Sequence, residues 1–370
     1  MQTAVFTIIS PNYRHFARVL MASLQRHHPE WDRFVLVTGA TDVLPVEASF
    51  TSVPLEALPL PNPRQFCFRY SILELNTAVK PWMFEHLFAR GYDRVVFIDP
   101  DIVVYSPLAE LDAAPAETFL RLTPHMVSPS DRDEESFERR RLLFGVYNLG
   151  FLEVSRRPAL ARFLRWWQDK LELQCIDEPA NGIFVDQKWM DLVPGLFPEV
   201  SILRHDGYNV AYWNLRQRHV VAAGEGFTVN GVPLRFFHFS GYRTAMPDHL
   251  SRGSTLELSE IGAARKLFED YLVAIREAGR ASFEAAPYAY GAFADGTPVP
   301  NAVRIAYRNS SSLQAAAGPD PFAHPELFTA IRMKAKAGMV SWRVLSSARP
   351  IVRLLPPRFR TSMRQLLLGR

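Results

Sequence analysis

From residue 3 to about residue 239, short β-rich runs alternate with helical ones, and this rhythm restricts the folds open to the chain more than any other feature. VFTIIS is followed by RHFARVLMASLQRHH and then by FVLVTG, a β-α-β order that predicts parallel strands in a sheet covered by helices. The cadence returns where a helical stretch over about 80–90 leads into RVVFI at 94–98 and IVVY at 102–105. After Pro158, which suits a first helical turn, Leu160, Phe163, Leu164, Trp167 and Leu171 recur at helical spacing. That stripe is expected to pack on the sheet as core, not to stack on a cofactor. Beyond Gly241 the pattern changes to a helix over about 257–278, then to an irregular stretch rich in Pro, Gly, Ser and aromatics over 285–325. The expected organisation is an α/β domain over 1–245, a helical and irregular extension over 246–325 and a basic amphipathic tail over 326–370, without internal repeats.

Composition narrows the function. With 48% hydrophobic and 22% charged side chains in 370 residues, the chain reads as globular, neither disordered nor fibrous. Its formal charge of +4 hides an uneven split, because residues 331–370 carry ten Lys or Arg and no Asp or Glu, leaving a net −6 on the rest. A nucleic-acid groove needs positive charge on the globular body, so no nucleic acid is expected as partner. Within the tail, Phe328, Ile331, Ala335, Gly338, Trp342 and Leu345 follow a 3,4 spacing, with Arg332, Lys336 and Arg343 off the seam. Basic residues near an anionic leaflet contribute about 1 kcal/mol each, and an amphipathic helix adds apolar insertion. The tail is therefore expected to make peripheral contact with the inner face of the cell membrane; the plainer alternative is a helix packed on the body or on another protein. Cys67 and Cys175 form no disulfide framework and have no histidines at zinc-ligand spacing. No apolar run reaches the roughly 18–20 residues of a membrane span, and the opening MQTAVFTIIS lacks a basic n-region. The expected location is cytoplasmic.

The most informative segment is FIDPDIVVY, in which an apolar strand delivers Asp99 and Asp101 at its carboxyl end, the edge where open α/β sheets bind ligands. A hard divalent cation such as Mg²⁺ is held by one or two carboxylates plus substrate phosphates and waters, so this Asp-x-Asp suits a metal-bound nucleoside diphosphate. The same triplet at Asp131–Asp133 follows no apolar strand and sits in DRDEESFERRR, where a solvated loop or helix start is expected. Position on a strand end separates the two.

These residues, with four further motifs in order, make the chain similar to glycosyltransferases of the GT-A fold, and most to family 8, the retaining group that includes glycogenins and bacterial lipopolysaccharide galactosyl- and glucosyltransferases. VFTIISPNYRHFARVLMASLQRHHPEW resembles the family's first strand, nucleotide loop and helix, which implies that Tyr13, with Asn12, stacks on the base. The Lys in AVKPWMFEHLF precedes the Asp-x-Asp strand as a basic residue does in the family, which implies Lys80 near the phosphates. YNLGFLEV resembles the Asn-x-Gly strand, implying that Asn148 and Gly150 face the donor sugar. FVDQKWMD resembles the Asp-Gln motif, implying Asp186 and Gln187 beside the anomeric carbon. FFHFSG resembles the His-x-x-Gly segment, implying His238 as third protein ligand of a Mn²⁺ or Mg²⁺ ion at Asp99 and Asp101. The resemblance covers roughly residues 3–241. It departs from the family after that segment, where a Lys-Pro-Trp that helps bind phosphate is replaced by YRTAMPDHL, with Arg243 as a substitute cation. Pro100 stands where a small residue is commoner and stiffens the turn.

Plainer readings stand beside these. Asp99 and Asp101 can simply end a strand, His238 can be a satisfied core histidine, Asn148 a strand-edge hydrogen bonder and Gly150 a close-packing position. Asp186 and Gln187 can cap a helix, Lys80 can be an exposed helix residue before Pro81, and Tyr13 a surface aromatic. The resemblance implies a Rossmann-like mixed sheet flanked by helices and transfer of a sugar from a nucleoside diphosphate donor, a UDP-sugar first among them, to a glycan or lipid-linked acceptor in surface polysaccharide synthesis. An inverting transferase, which needs a carboxylate base opposite the diphosphate, and a silent carbohydrate- or nucleotide-binding scaffold are the competing expectations. A nucleotidyltransferase fits poorly, because SPNYRHF contains no glycine for a triphosphate loop.

Overall fold

In the computed structural model, which describes residues 1–39, 47–113, 115–130, 135–251, 253–254 and 256–336, the strand Thr3–Ile9 (β1) is buried at every position. A strand covered by helices on both faces must be apolar throughout, and TAVFTII nearly is. It pairs in parallel with Asp32–Val37 (β2), which pairs in parallel with Thr51–Pro54 (β3). On its other side lies Arg94–Ile98 (β4), again parallel. Two further strands, Ile102–Val104 (β5) and Leu120–Pro124 (β6), precede the long strand Tyr147–Ser155 (β7), which runs antiparallel to both β4 and β6. With Val200–Ile202 at the edge, the seven-stranded order is Val200–Ile202, β6, β7, β4, β1, β2, β3. The fold is thus a Rossmann-like mixed sheet flanked by helices, the layered α/β architecture that the sequence pattern and the resemblance led one to expect.

The helix Leu160–Leu171 buries Leu160, Phe163, Leu164, Trp167 and Leu171, the whole stripe read from spacing. Phe163 and Trp167 have no exposed surface, and Phe163 meets Phe119 at a ring separation of 5.4 Å. Full burial of a side chain of this size stabilises by about 1.5–3 kcal/mol. On the opposite flank, Arg14–His27 buries Ala17, Leu20, Met21 and Leu24 in a cluster with Val5, Val35 and Val96 of the sheet.

A second, three-stranded sheet carries the site. Phe236–His238 pairs antiparallel with β5 and parallel with Val210–Ala211. It is backed by Phe268 and Tyr271 of the helix Arg265–Glu277, and Tyr271 stacks on Phe239 at 3.8 Å. That helix is shorter than the one expected over 257–278. Two 3₁₀ turns, Leu258–Glu260 with a Glu257/Glu260 capping box and Gly262–Ala264, come first. Gly262 at φ +55° takes the left-handed conformation that breaks a helix and that glycine tolerates.

Two compact units divide the chain: residues 1–63 with 72–289, and residues 64–71 with those from 290 on. In the second, Phe68 lies among Tyr307, Phe322 and Phe328 at 4.9–5.4 Å. The buried Arg304 guanidinium donates to the Phe68 carbonyl at 2.8 Å. A helix at Thr329–Lys336 follows. The remainder of the tail stripe, from Gly338 through Trp342 to Leu345, lies outside the described residues, as do Asp131 and Asp133. Among the described residues no helix is long and apolar enough to cross a membrane.

Candidate active site

β4 ends at Ile98, and the turn Asp99-Pro100-Asp101 carries the chain into β5, closed by the Ile102 N–H donating to the Asp99 carbonyl at 3.2 Å. The register of the small sheet sets His238 opposite Ile102, and the Phe239 N–H donates to the Asp101 carbonyl at 2.9 Å. A histidine 137 positions away in sequence is thereby placed one residue from Asp101. Its Nε2 lies 3.1 Å from Asp101 Oδ1 and 3.9 Å from Asp99 Oδ2. One donor atom from each of Asp99, Asp101 and His238 falls within 4.8 Å of the others.

Electrostatics fit a cation there. Burial lifts the Asp99 carboxyl from its usual range to about 6; Lys80 opposes the rise and the neighbouring Asp101 adds to it. For His238, burial pulls the imidazole down, but the ion pair and hydrogen bond to Asp101, with the charge of Asp99, carry it above its ordinary value. Two largely buried carboxylates that repel each other beside an imidazole nitrogen make a donor set of two hard oxygens and one nitrogen. That combination suits Mg²⁺ or Mn²⁺, whose charge would relieve the repulsion.

β7 enters the site at its amino end, since the Asp99 N–H donates to the Gly150 carbonyl at 2.8 Å. A Cβ on Gly150 would stand 2.6 Å from His238 Cε1 and 2.8 Å from Asn148 Oδ1, so glycine is required by the close approach of the histidine ring. Asn148, 8% exposed, accepts the Gly150 N–H at 3.2 Å and lies 3.3 Å from His238 Nδ1. Gln187 is tied at both ends: its Oε1 accepts from the Leu149 N–H at 3.1 Å, and its Nε2 donates to the Phe144 carbonyl at 3.0 Å.

Asp186 does not cap. It precedes the 3₁₀ helix Gln187–Leu192 without a side-chain capping bond, and its carboxylate meets the Lys80 ammonium at 2.7 Å with both side chains 2% exposed. Lys80 also donates to the Leu149 carbonyl at 3.1 Å and lies 4.1 Å from the centre of the Phe97 ring. The expectation of an exposed helix residue before Pro81 is corrected: at the start of Lys80–Ala89 the side chain is buried as one half of an ion pair.

Tyr13 and Asn12 lie in the turn between β1 and the helix Arg14–His27. Tyr13 is 42% exposed with its ring 4.9 Å from Phe16, and Asn12 Oδ1 accepts from Ser10 Oγ at 2.6 Å. Both line a cleft of about 390 Å³ that opens onto Asp101 and is also bounded by Tyr242, Arg243 and Arg280. The structure therefore gathers Asp99, Asp101, His238, Asn148, Gly150 and Gln187 in one contact network, sets the Lys80–Asp186 pair beneath it, and places Asn12 and Tyr13 across the cleft. Arg280 and His125 escaped the sequence reading. Arg280 belongs to a short helix outside any motif, and His125 in TPHMV has no partner at recognisable spacing; only strand pairing brings it to Asn148.

No family model matches the chain. The uncharacterized protein YfnF of Bacillus subtilis (strain 168) is 31% identical over 183 residues, 49% of this chain and 60% of YfnF. Among solved structures the chain is similar to the apo-form glycosyltransferase GlyE of Streptococcus pneumoniae TIGR4, at 16% identity and a TM-score of 0.44, over 75% of this chain and 63% of GlyE. It is also similar to the galactosyltransferase LgtC in complex with donor and acceptor sugar analogues, at 18% identity and a TM-score of 0.41, over 77% of this chain and 98% of LgtC. The chain thus spans less than two-thirds of the length of YfnF and of GlyE.

Proposed function

We propose that the chain is a metal-dependent, retaining glycosyltransferase that moves a sugar from a nucleoside diphosphate donor, a UDP-sugar, to a glycan or lipid-linked acceptor in bacterial surface polysaccharide synthesis. The observation that carries this reading is the Asp99, Asp101 and His238 donor set at the carboxyl edge of the sheet, next to a cleft lined by Asn12, Tyr13 and Arg243. Asp99, Asp101 and His238 would hold Mn²⁺ or Mg²⁺, which supplies charge neutralisation for the diphosphate when bound. Tyr13 offers a face for the base, Asn12 an amide, and Arg243 a cation in place of the missing Lys-Pro-Trp. Asn148 and Gly150 form the floor under the sugar. Lys80 lowers the Asp99 carboxyl, an effect that its partner Asp186 partly cancels.

In the reaction the bond from the anomeric carbon to the diphosphate oxygen breaks, its electrons leaving with the diphosphate, while the acceptor oxygen bonds to that carbon. The acceptor proton passes to the departing diphosphate oxygen on the same face. Same-face attack is supported by the state of the two groups nearest in motif. Gln187 is a neutral amide tied to the backbone at both ends, and Asp186 is buried against Lys80, so neither is a poised nucleophile. Interactions that strengthen as charge builds on the diphosphate lower the barrier, whereas uniform binding does not.

The membrane part of the proposal rests on the sequence of the basic amphipathic tail, residues 326–370, with cytoplasmic location and peripheral binding through its basic residues. The test of the activity is donor hydrolysis across a panel of UDP- and GDP-sugars with Mn²⁺, Mg²⁺ or EDTA, followed by the anomeric configuration of the product. Metal-dependent hydrolysis of one sugar nucleotide with retention supports the proposal; hydrolysis of none refutes it.

A further inference from the structure

We propose that the helix Glu135–Phe144 and the turn after it form a lip on the candidate site that seats on an anionic lipid leaflet through exposed Leu142, Leu143 and Val146, with Arg139 and Arg140. The lipid contact stands apart from the transferase reading; that the lip brings the site to a lipid-linked acceptor rests on that reading. Leu142 is 69% exposed, Leu143 42% and Val146 37%. Single exposed apolar side chains need no explanation, whereas a group of them in one short stretch marks an interaction surface.

The helix turns its other side to the body. Phe137, Arg141 and Phe144, spaced by four and then three, are half-buried. Phe144 meets Phe184 at a ring separation of 5.0 Å, and the Arg141 guanidinium lies 4.8 Å over the Phe137 ring. Leu142 and Leu143 come three and four residues after Arg139 and so share its side of the helix. Arg139 and Arg140 are exposed, and neither is in an ion pair among the described residues. Two acidic side chains beside them are engaged: Glu138 accepts the Ser130 N–H at 2.8 Å, and Asp191 accepts from Lys188 Nζ at 2.7 Å. The outward side therefore offers cations next to hydrocarbon.

An anionic leaflet matches that order of chemistry. Its phosphates attract guanidinium groups, whose long stems reach the headgroups while neighbouring leucines enter the hydrocarbon boundary. A water-soluble sugar or nucleotide offers Leu142 and Leu143 no hydrocarbon. The lip is also fastened to the site. Lys188 Nζ donates to the Leu142 carbonyl at 2.5 Å, Gln187 Nε2 to the Phe144 carbonyl at 3.0 Å, and the Val146 N–H to Asp191 Oδ1 at 3.0 Å. The Gly145 N–H closes the helix on the Arg141 carbonyl at 2.8 Å, and two residues past Val146 the chain reaches Asn148 in β7. A leaflet seated on Leu142–Val146 lies next to the residues that floor the sugar, where a lipid-linked acceptor presents its hydroxyl.

The experiment uses the full-length protein and vesicles of equal parts phosphatidylcholine and phosphatidylglycerol. Leu142→Gln/Leu143→Gln should lower partition onto the vesicles at least about tenfold. Arg139→Gln/Arg140→Gln should lower it about fivefold per cation lost, an effect that shrinks in high salt. All four positions are exposed and glutamine is a good helix former, so circular dichroism should match wild type. Because Cys67 and Cys175 are buried, Leu143→Cys takes a nitrobenzoxadiazole label selectively, and its emission should shift to the blue when vesicles are added. Variants that partition within about twofold of wild type, or a label whose emission does not move, overturn the proposal and leave vesicle binding to the tail. Wild type that does not partition overturns it outright. Metal-dependent hydrolysis of a soluble sugar nucleotide should be the same in wild type and in the leucine pair. Vesicle binding through the lip by a protein that hydrolyses no sugar nucleotide upholds the lip and removes the transferase reading, so the two failures are distinct.

Discussion

Replacing Lys80 with Met keeps the length of the side chain and removes its charge, leaving the Asp186 carboxylate 1% exposed without its cation. At 2.7 Å and an effective dielectric near 20, the attraction lost is roughly 6 kcal/mol, and part of that only offsets the cost of burying the two ions. Breaking a buried pair from one side costs about 3–5 kcal/mol. The contacts of Nζ with the Leu149 carbonyl and the Phe97 ring go as well. Lys80→Met should therefore lower stability by about 3–5 kcal/mol in urea titrations at pH 7.5, and the double variant Lys80→Met/Asp186→Asn should recover much of the loss. The sign with pH follows from burial, which already raises the Asp186 carboxyl while Lys80 lowers it. Without Lys80 the carboxyl rises further, so the penalty is absent below the unfolded value and grows as pH climbs through the folded one; the variant should sit closer to wild type at pH 5 than at pH 8. A loss below about 1 kcal/mol combined with weaker donor binding would refute this and return Lys80 to the phosphates, where the family resemblance puts it.

Other perturbations probe other parts of the structure. Gly150→Ala puts a methyl group 2.6 Å from His238 Cε1 and should reduce Mn²⁺ affinity at least about tenfold by pushing the ring off line; calorimetry checks it. Burial, with the Arg280 guanidinium nearby, holds the His15 imidazole down at about 4. The unfolded chain thus takes up a proton that the folded one refuses, and stability drains as pH falls from about 6.5 toward 4. His15→Phe should shrink the difference in melting temperature between pH 7.5 and pH 5. Phe163→Ala, at a fully buried position between Phe119 and Trp167, should cost about 3–5 kcal/mol in denaturant titrations.

What the sequence made legible was periodicity. β1, β4 and the Leu160–Leu171 stripe announce themselves because a buried strand is apolar throughout and a helix on a sheet is apolar every three or four residues. The carboxylates at Asp99 and Asp101 were visible for the same reason, since they follow such a strand. Long-range pairing was not visible. His238 reaches Asp101 through the register of β5 with Phe236–His238, and no local pattern states that register; the family motif did. Lys80 shows the converse, because its motif suggested phosphate while its surroundings, Asp186, Leu149 and Phe97, come from three separate segments. The helix expected over 257–278 was drawn too long because Gly262 falls inside an otherwise helical pattern and acts as a breaker. His125 carried no signal at all, since its partner arrives across the pairing of β6 with β7.

The central claim is that Asp99, Asp101 and His238 hold a divalent cation that binds a sugar nucleotide. The most direct measurement is calorimetric titration of UDP into the wild-type protein and into Asp101→Asn, each with Mn²⁺ and with EDTA. UDP should bind wild type with Mn²⁺ and lose at least about tenfold in affinity with EDTA or on Asp101→Asn, while circular dichroism shows the variant folded. Equal UDP affinity in all four titrations, or none in any, would contradict it.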